Sequence, residues 1–197
     1  MIEILTVCTG NICRSPLAAQ LLRRALGDVG ARVESAGTHA RDHDAMAPDA
    51  VRLAERLGVG PDEIRMHRAR RLDEGQLTRP DLILTMDRDQ RRAVVEIAPT
   101  RVHATFTVRE FARLARAVPR EELQAAASAG DSPSGRVRAM ARELALHRGL
   151  VPQPVDPDED DVPDPYGREW HAYVACGAQL VPAIRVAAET VRGAVTV

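Results

Sequence analysis

The stretch IEILTVCTGNICRSPL, residues 2–17, begins with an apolar, β-branched run, continues through a polar loop and ends at the start of a helical pattern. The run at residues 2–7 predicts a short buried strand. Apolar residues recur at helical spacing over residues 17–26. Pro16 suits a first helical turn, because its missing N–H would be unpaired there anyway. The stretch therefore predicts a strand, a loop and a helix in direct succession.

The loop places a cysteine, five intervening residues and an arginine between the strand and the helix. A loop of this length can direct successive backbone N–H groups at one anion, and the positive end of the helix dipole adds to the attraction. Gly10 and Asn11 tolerate the positive φ that such a curve requires. The sequence therefore predicts a phosphate-binding loop. Its predicted members are Thr9, Gly10, Asn11, Ile12, Cys13, Arg14 and Ser15.

Cys8 lies where this loop begins and is the candidate nucleophile. Arg14 offers a guanidinium fork for two phosphate oxygens, and together with the N–H groups it would hold Cys8 as a thiolate at neutral pH. Ser15 could donate a hydrogen bond to that thiolate when it becomes the leaving group. The glycine-rich nucleotide loops GxxxxGK(S/T) and GxGxxG do not occur in the sequence. The loop chemistry favours phosphoryl transfer through a cysteine thiolate.

Strand and helix patterns alternate along the first half of the chain, which predicts a parallel sheet covered by helices on both faces. The second half has only helical patterns, interrupted by a proline-rich acidic stretch at residues 151–165. The predicted fold class is therefore α/β. The predicted strands are residues 2–7, 32–35, 82–86 and 102–105, and the predicted helices are residues 17–26, 48–57, 68–77, 87–97, 108–118, 121–127, 135–147 and 168–192.

Composition places the 197-residue chain among ordinary globular proteins of one domain, with 45% hydrophobic and 28% charged residues. The net charge of -1 argues against nucleic acid as a partner. No basic segment precedes the first apolar run and no stretch approaches the ~18 apolar residues of a membrane span, so we expect a cytoplasmic protein without a membrane partner. Three cysteines without disulfide or CxxC spacing fit free thiols in a reducing compartment.

The segment VCTGNICRSP at residues 7–16 resembles the signature loop of the low molecular weight protein tyrosine phosphatases. The resemblance covers residue 2 to about residue 106 and resumes near residue 162. It implies a three-layer fold with a four-stranded parallel sheet and an active site at the carboxyl end of the first strand. The further segments that resemble the family, in the family's order, are SAGT at 35–38, HRAR at 67–70, DLILTMD at 81–87 and DPYG at 164–167.

The resemblance also implies a single phosphatase domain over residues 1–197. Such phosphatases are usually shorter, and the additional residues lie at about 111–161. This segment is therefore predicted to form a helical insertion just before the acid loop. We expect the insertion either to decorate the core or to cap access to the site through its link to Asp164.

A two-step mechanism follows from the same resemblance. Cys8 attacks phosphorus and forms a phosphocysteine, while Arg14 and the loop N–H groups hold the equatorial oxygens. Asp164, the family's general acid, protonates the leaving phenolate and then activates water. Tyr166 and Ile12 would line the pocket of the substrate ring. The implied substrates are phosphotyrosine proteins or peptides and small aryl phosphates, the product is inorganic phosphate, and no cofactor or metal is required.

Local sequence alone does not select Asp164 as the acid, because Asp156 is also followed by proline. The acidic residues just upstream of Asp164 are expected mostly to form a solvated linker. Three of the five aromatic residues fall within one eight-residue window. Tyr166 is the expected ring wall, whereas Trp170 and Tyr173, three residues apart, are expected on the core face of the last helix.

Three alternative functions remain open on the sequence. In the related protein arginine phosphatases the position of Ile12 is a threonine, so the apolar residue favours phosphotyrosine. Thioredoxin-coupled arsenate reductases share the loop but need two further cysteines after the third strand, and residues 80–100 contain none. A non-catalytic phosphoprotein-binding or redox-sensing module would have to retain an unused Cys8, Arg14 and Asp164.

The remaining cysteines and two histidines complete the candidate residues. The family has at the position of Cys13 a loop cysteine that can form a disulfide with the oxidised nucleophile, which implies a redox partner for Cys8. Cys176 is expected to be a buried apolar residue of the last helix. His39 and His43 have H-x3-H spacing but no accompanying set of thiols or carboxylates, so no zinc site is expected.

Overall fold

The computed structural model describes residues 1–196, in which nine α-helices surround a four-stranded sheet. Val197, the last residue of the predicted domain, lies outside the described residues. The strands are β1 (Ile2–Cys8), β2 (Ala31–Gly37), β3 (Leu82–Thr85) and β4 (Thr105–Thr107). The helices are α1 (Arg14–Leu26), α2 (Pro48–Arg56), α3 (Pro61–Met66), α4 (Glu74–Thr78), α5 (Arg88–Ile97), α6 (Val108–Ala117), α7 (Arg120–Ala127), α8 (Pro133–Leu146) and α9 (Trp170–Val195).

The four strands are parallel and lie in the order β2-β1-β3-β4. In the central strand β1, Ile4 pairs with Val33 of β2 on one side and with Leu82 of β3 on the other. The chain therefore leaves β1 for one edge of the sheet, β2, and later builds the other side from β3 and the edge strand β4. In such sheets the ligand crevice lies at the carboxyl ends of the strands where the order reverses, which is here between β1 and β3. The loop after β1 occupies this point.

Alternate residues of β1 face two apolar layers. Ile2 and Ile4 belong to a larger core formed with α1, α6, α8 and α9, while Leu5 and Val7 belong to a smaller core with α4 and α5. All four side chains are buried, and burying each one contributes about 1.5–3 kcal/mol. The predicted three-layer α/β fold with helices on both faces is confirmed.

Two predicted elements differ from the structure. The helix predicted at residues 68–77 is wrong, because α3 and α4 flank a non-helical segment at residues 67–73. The backbone of this segment bonds to the end of β2, where Gly37 N donates to Arg70 O at 2.9 Å. Such long-range backbone hydrogen bonds take the place of the hydrogen bonds that a helix would form. β4 begins three residues later than predicted, because residues 99–104 form a 3-10 helix.

α9 is, among the described helices, the one long and apolar enough to cross a membrane by length and composition. The expectation that no stretch approaches a membrane span is therefore wrong for this segment. Cys176, Leu180, Ile184 and Val191 are buried in the larger core, where α9 packs against α1 and α6. In this fold α9 serves as a core helix.

The predicted insertion contains α7 and α8, which pack near the amino ends of the strands. Ser134 Oγ and Arg138 Nε lie 2.6 and 2.7 Å from Oδ1 of Asp81, the residue just before β3. Met140 and Leu144 of α8 are fully buried in the larger core. These helices therefore lie away from the loop after β1, and the expected capping of the site does not apply to them.

Candidate active site

The loop between β1 and α1 wraps around the sulfur of Cys8. Cys8 ends β1 and Arg14 begins α1, so both residues are fixed by regular structure. Cys8 Sγ accepts hydrogen bonds from the backbone N–H of Asn11 at 3.1 Å and from the Ser15 hydroxyl at 2.9 Å. Both donors are placed to stabilise negative charge on the candidate nucleophile.

Asn11 holds the shape of the loop with a left-handed backbone (φ 54°) and several hydrogen bonds. Its side chain donates to the Ser15 hydroxyl and accepts from Arg70 N, both at 2.9 Å. Its carbonyl accepts from Nε2 of His67 at 2.7 Å, and burial lowers the pKa of His67 below its usual value, which favours the neutral ring. The expected positive φ is confirmed at Asn11 and is wrong for Gly10.

The carboxyl end of β2 lies directly against the loop, at a position where only glycine fits. A Cβ atom at Gly37 would lie 2.6 Å from Thr9 O and 2.9 Å from Asn11 N, closer than non-bonded atoms approach. One residue later, Thr38 N donates to Cys8 O at 2.9 Å. β2 therefore supports the loop from behind.

Arg14 is only 3% exposed, and two carboxylates compensate its charge. Its NH1 donates to Asp87 Oδ2 at 3.1 Å and to Val162 O at 2.8 Å, and its NH2 donates to Asp164 Oδ2 at 2.6 Å. Its Nε has no hydrogen-bond partner among residues 1–196. The NH1 end is thus anchored by the protein, while the edge formed by Nε and NH2 is suited to an oxyanion.

Asp164 and Tyr166 reach the loop from the segment before α9. The Asp164 side chain is 44% exposed, and its Oδ1 accepts a hydrogen bond from Tyr166 N at 3.1 Å. Tyr166 is 63% exposed. An acidic group and an aromatic ring are therefore brought beside Cys8 and Arg14, although Asp164 lies 150 residues after Arg14 in the chain.

These side chains line one cavity of about 260 Å³. Every predicted site residue lines it except Asn11 and Ser15, which are buried and support the loop from inside. Residues from the loop after β2, which the sequence patterns do not predict, also line this cavity. The lining residues are Cys8, Thr9, Gly10, Ile12, Cys13, Arg14, His39, Arg41, Asp44, Asp164 and Tyr166.

Comparisons with known proteins agree with this geometry. A family model described as low molecular weight phosphotyrosine protein phosphatase matches residues 3–121. The chain belongs to this family. It is 38% identical over 123 residues to the probable low molecular weight protein-tyrosine-phosphatase EpsP of Ralstonia nicotianae, a match that covers 62% of this chain and 81% of that protein. The family resemblance of the loop sequence is thereby confirmed.

Solved phosphatase structures share the fold. The Erwinia amylovora tyrosine phosphatase amsI matches with a TM-score of 0.65 at 23% identity, covering 94% of this chain and 91% of that one. The YwlE arginine phosphatase from Geobacillus stearothermophilus matches with a TM-score of 0.67 at 24% identity, covering 98% and 94%. At these identities the likeness concerns the fold alone.

Two further positions of the phosphatase loop differ in burial. Ile12 is half-buried, whereas Cys13 is buried, and this burial raises the pKa of the Cys13 thiol to about 12. Burial also raises the pKa of Cys176 to about 12, which agrees with its expected place in the core. Tyr173 is buried as expected, and the half-buried Trp170 stacks on it with ring centroids 6.3 Å apart.

The acidic stretch before Asp164 is only partly a solvated linker. Its first three acidic residues are exposed as expected, whereas Asp160 is buried and Asp161 is half-buried. Asp160 pairs with Arg113 of α6 at 2.7 Å, and Asp161 pairs with Arg88 of α5 at 2.9 Å. The expectation of a solvated linker is wrong for these two residues.

Three residues that hold the phosphatase site are not among the predicted site residues, although Asp87 and His67 lie in segments that resemble the family. Asp87 pairs with Arg14, Gln90 Nε2 donates to Thr9 Oγ1 at 3.1 Å, and His67 binds the loop carbonyl described above. A signal for the first two exists, since Asp87 and Gln90 form a capping box at the start of α5. This helix follows β3, whose carboxyl end adjoins that of β1.

Among residues 1–196, the side chains close enough together to hold a metal ion lie away from the phosphatase loop, at α7 and α8. There His147 Nε2 is 3.2 Å from Glu122 Oε1, and His147 Nδ1 is 3.5 Å from Glu143 Oε1. The carboxylates face different ring nitrogens, which is an ion-pair arrangement rather than ligands around one metal. His39 and His43 are not part of this group.

Proposed function

We propose that this chain is a protein tyrosine phosphatase that hydrolyses phosphotyrosine and small aryl phosphates through a phosphocysteine intermediate. In the first step Cys8 Sγ attacks phosphorus in line, so the S–P bond forms and the P–O bond to the phenol breaks. The loop N–H groups and the Nε–NH2 edge of Arg14 hold the equatorial oxygens. Asp164 in its acid form gives its proton to the departing oxygen, because a phenol of pKa ~10 leaves poorly as an anion.

In the second step a water molecule attacks the phosphocysteine. The Asp164 carboxylate accepts a proton from that water, the new P–O bond forms, the S–P bond breaks and inorganic phosphate leaves. The Cys8 sulfur departs as a thiolate, which the Asn11 N–H and the Ser15 hydroxyl stabilise. Acid and base catalysis by one carboxyl restores the enzyme, and the two steps balance without a cofactor.

The observation that carries this proposal is the meeting of Cys8, Arg14 and Asp164 in one cavity. Arg14 NH2 lies 2.6 Å from Asp164 Oδ2 although 150 residues separate them in sequence. A nucleophile, an oxyanion clamp and a proton donor form a complete set for phosphoryl transfer. A non-catalytic phosphate-binding module would need the loop and the arginine but not the acid.

Ile12 and Tyr166 support phosphotyrosine as the substrate. Both line the cavity, and offset stacking of a substrate ring on an aromatic side chain contributes about 0.5–1.5 kcal/mol beyond area burial. Ile12 has no hydroxyl to offer to the guanidinium group that a phosphoarginine would release. The cavity wall is therefore suited to a phenyl ring.

Turnover of matched peptides tests both the activity and the substrate class. With phosphotyrosine and phosphoarginine in the same peptide sequence, we expect kcat/KM to be at least about tenfold higher for phosphotyrosine, because one misplaced contact in such a pocket costs about 1–3 kcal/mol. In the Ile12→Thr variant, kcat/KM for phosphotyrosine should exceed that for phosphoarginine by a smaller factor. A preference for phosphoarginine would overturn the substrate class, and turnover of neither peptide would overturn the activity.

Arsenate reduction is disfavoured, because its relay needs additional reactive thiols. Within residues 1–196, only Cys8 and Cys13 among the cysteines line the cavity. Cys176 is buried in α9, and its raised pKa keeps it a neutral thiol at pH 7.

We also infer that Cys13 protects the nucleophile from irreversible oxidation. Peroxide converts the Cys8 thiolate to a sulfenic acid with release of hydroxide, and the Cys13 thiol then attacks that sulfur, so that a disulfide forms as water leaves. Both cysteines line the same cavity. The raised pKa of Cys13 keeps it a neutral thiol at pH 7, so peroxide attacks it only slowly.

Replacing Cys13 with Ser is expected to make inactivation by peroxide less reversible. After brief exposure and treatment with dithiothreitol, Cys13→Ser should recover less than about half of the activity that the wild type recovers, because its sulfenic acid proceeds to sulfinic acid. Cys176→Ala is the matched control and should recover like the wild type. Equal recovery by Cys13→Ser and the wild type would contradict this role, and peptide mass spectrometry distinguishes the oxidation products.

We propose phosphotyrosine proteins or peptides as partners, with inorganic phosphate as the released product. Free cysteines at all three positions fit a reducing, cytoplasmic setting. We further propose a single domain over residues 1–197, with a helical insertion at about 111–161. The continuity of the larger core, to which both α1 and α8 contribute, supports this assignment.

A further inference from the structure

Residues 156–163 include the last residues of the insertion and lead to Asp164, and we call this segment the acid strap. The carboxylate of Asp160 fastens the strap to α6 through a bidentate ion pair with Arg113, in which Nε to Oδ1 is 3.1 Å and NH2 to Oδ2 is 2.7 Å. The backbone carbonyl of Asp160 also accepts from the Thr107 hydroxyl at 2.5 Å. The Asp160 side chain is 10% exposed and that of Arg113 22%, so the pair is largely shielded from water and fixed in direction.

The next part of the acid strap contacts the phosphate-binding loop directly. Val162 N donates to Met86 O at 2.7 Å, and Val162 O accepts from Arg14 NH1 at 2.8 Å. Val162 is fully buried. A shift of the strap at this point would therefore move an anchor of the guanidinium group that is proposed to hold the phosphate.

Two prolines make the connection from the strap to Asp164 stiff. Pro163 and Pro165 flank Asp164, and each proline fixes its own φ and restricts the residue before it to extended conformations. The Asp164 side chain is 44% exposed and bonds to Arg14 and to the N–H of Tyr166. The position of its carboxyl group therefore depends both on these bonds and on where the strap is fastened.

We propose that the Arg113–Asp160 ion pair is a positioning pair for proton transfer by Asp164. This inference rests on the proposed phosphatase function and extends it to residues that do not line the cavity. Removing the Arg113 charge leaves a buried carboxylate unpaired, so the strap shifts to let water reach it. Because the acid must lie within hydrogen-bond distance of the leaving oxygen, a displacement of about 1 Å can cost about 10²-fold in rate.

Comparing substrates with poor and good leaving groups distinguishes this positioning role from a merely structural one. The ratio kcat/KM covers the steps up to release of the phenol, so weaker acid assistance lowers it more for a phosphotyrosine peptide than for p-nitrophenyl phosphate, whose nitrophenolate leaves more readily without a proton. Arg113→Gln should lower kcat/KM about tenfold for the peptide and at most about twofold for p-nitrophenyl phosphate. Arg116→Gln, an exposed position on the same helix, is the matched control and should change neither value.

The Asp164→Asn variant supplies the second readout. The amide of this variant has no acidic proton to position. Adding Arg113→Gln to it should therefore leave unchanged the ratio of kcat/KM for the phosphotyrosine peptide to kcat/KM for p-nitrophenyl phosphate. A shift of this ratio that occurs with Asp164 present and vanishes in Asp164→Asn supports the inference. Equal losses on both substrates in Arg113→Gln, or the same shift in both backgrounds, would overturn it.

Separate control experiments test whether the Arg113→Gln variant folds and whether the wild type is active. If thermal melting shows that Arg113→Gln does not fold, Arg113→Lys keeps the charge without the bidentate geometry, and an unchanged ratio in that variant overturns the inference. A wild-type chain that turns over neither substrate overturns the proposed function and this inference with it. An active wild type with the same ratio in Arg113→Gln and Arg116→Gln overturns the positioning role alone.

Discussion

Replacing Cys8 with Ser is expected to abolish turnover of phosphotyrosine peptides while leaving their binding intact. A serine hydroxyl is not ionised at neutral pH and is a far weaker nucleophile than a thiolate, so kcat should fall by at least about 10⁴-fold. The N–H groups of the loop and the Arg14 guanidinium remain, and these are the groups proposed to hold the phosphate. Initial rates measure the first effect, and isothermal titration calorimetry with the phosphopeptide measures the second.

Cys176→Ala is the matched control for this substitution, because it removes another buried thiol without touching the cavity. Its kcat should stay within about threefold of the wild-type value. If Cys8→Ser kept more than about one hundredth of the wild-type turnover, covalent catalysis by this sulfur would be contradicted. Loss of phosphopeptide binding in the same variant would contradict the view that the loop backbone and Arg14 bind the phosphate.

The central strands are predictable from the sequence because both of their faces are buried. β1 and β3 therefore consist of nearly unbroken apolar runs. Glu3 and Thr6 interrupt the run of β1. Glu3 is only half-buried, and the buried Thr6 hydroxyl donates to Ser15 O at 2.8 Å, so it is not an unpaired donor in the core. β4 has three residues at the sheet edge, and its bounds depend on pairing with β3, which local sequence does not reveal.

The segment at residues 67–73 shows why a helical pattern is not sufficient evidence of a helix. Arg70 N donates to the Asn11 side chain at 2.9 Å, and the backbone of Arg71 forms an isolated parallel β-bridge with Gly37. These bonds tie the segment to the phosphate-binding loop and to the end of β2. Tertiary contacts of this kind override a weak local helix propensity.

The interacting residues of the candidate site differ in how far apart they lie in the sequence. Cys8 and Arg14 lie in one loop, so their spacing alone predicts that they meet at one anion. Asp87 reaches Arg14 through the pairing of β1 with β3, and Asp160 reaches Arg113 through the packing of the strap on α6. The capping box marks Asp87 as the start of a helix but not as the partner of Arg14. Single aspartates are common on protein surfaces, so nothing in the local sequence distinguishes Asp160.

Replacing Asp164 with Asn is expected to lower kcat/KM for phosphotyrosine peptides by about 10²–10⁴-fold, equivalent to about 3–5 kcal/mol of transition-state stabilisation. The amide has nearly the same size, and its one oxygen can still accept from either Arg14 or the N–H of Tyr166, which bond to different oxygens of Asp164, but it has no acidic proton to give to the phenolate. The loss should be clearly smaller for p-nitrophenyl phosphate, whose leaving group needs less assistance. Initial rates on the two substrates measure the difference.

Asp156→Asn is the matched control, because Asp156 also precedes a proline, is exposed and lies outside the cavity. It should leave kcat/KM unchanged on both substrates. A loss in Asp156→Asn with none in Asp164→Asn would show that the acid belongs to the other Asp-Pro pair. Equal losses on both substrates in Asp164→Asn would instead mean that this carboxyl group acts by holding Arg14, since the guanidinium serves every phosphate ester alike, whereas proton donation matters most to the poorest leaving group.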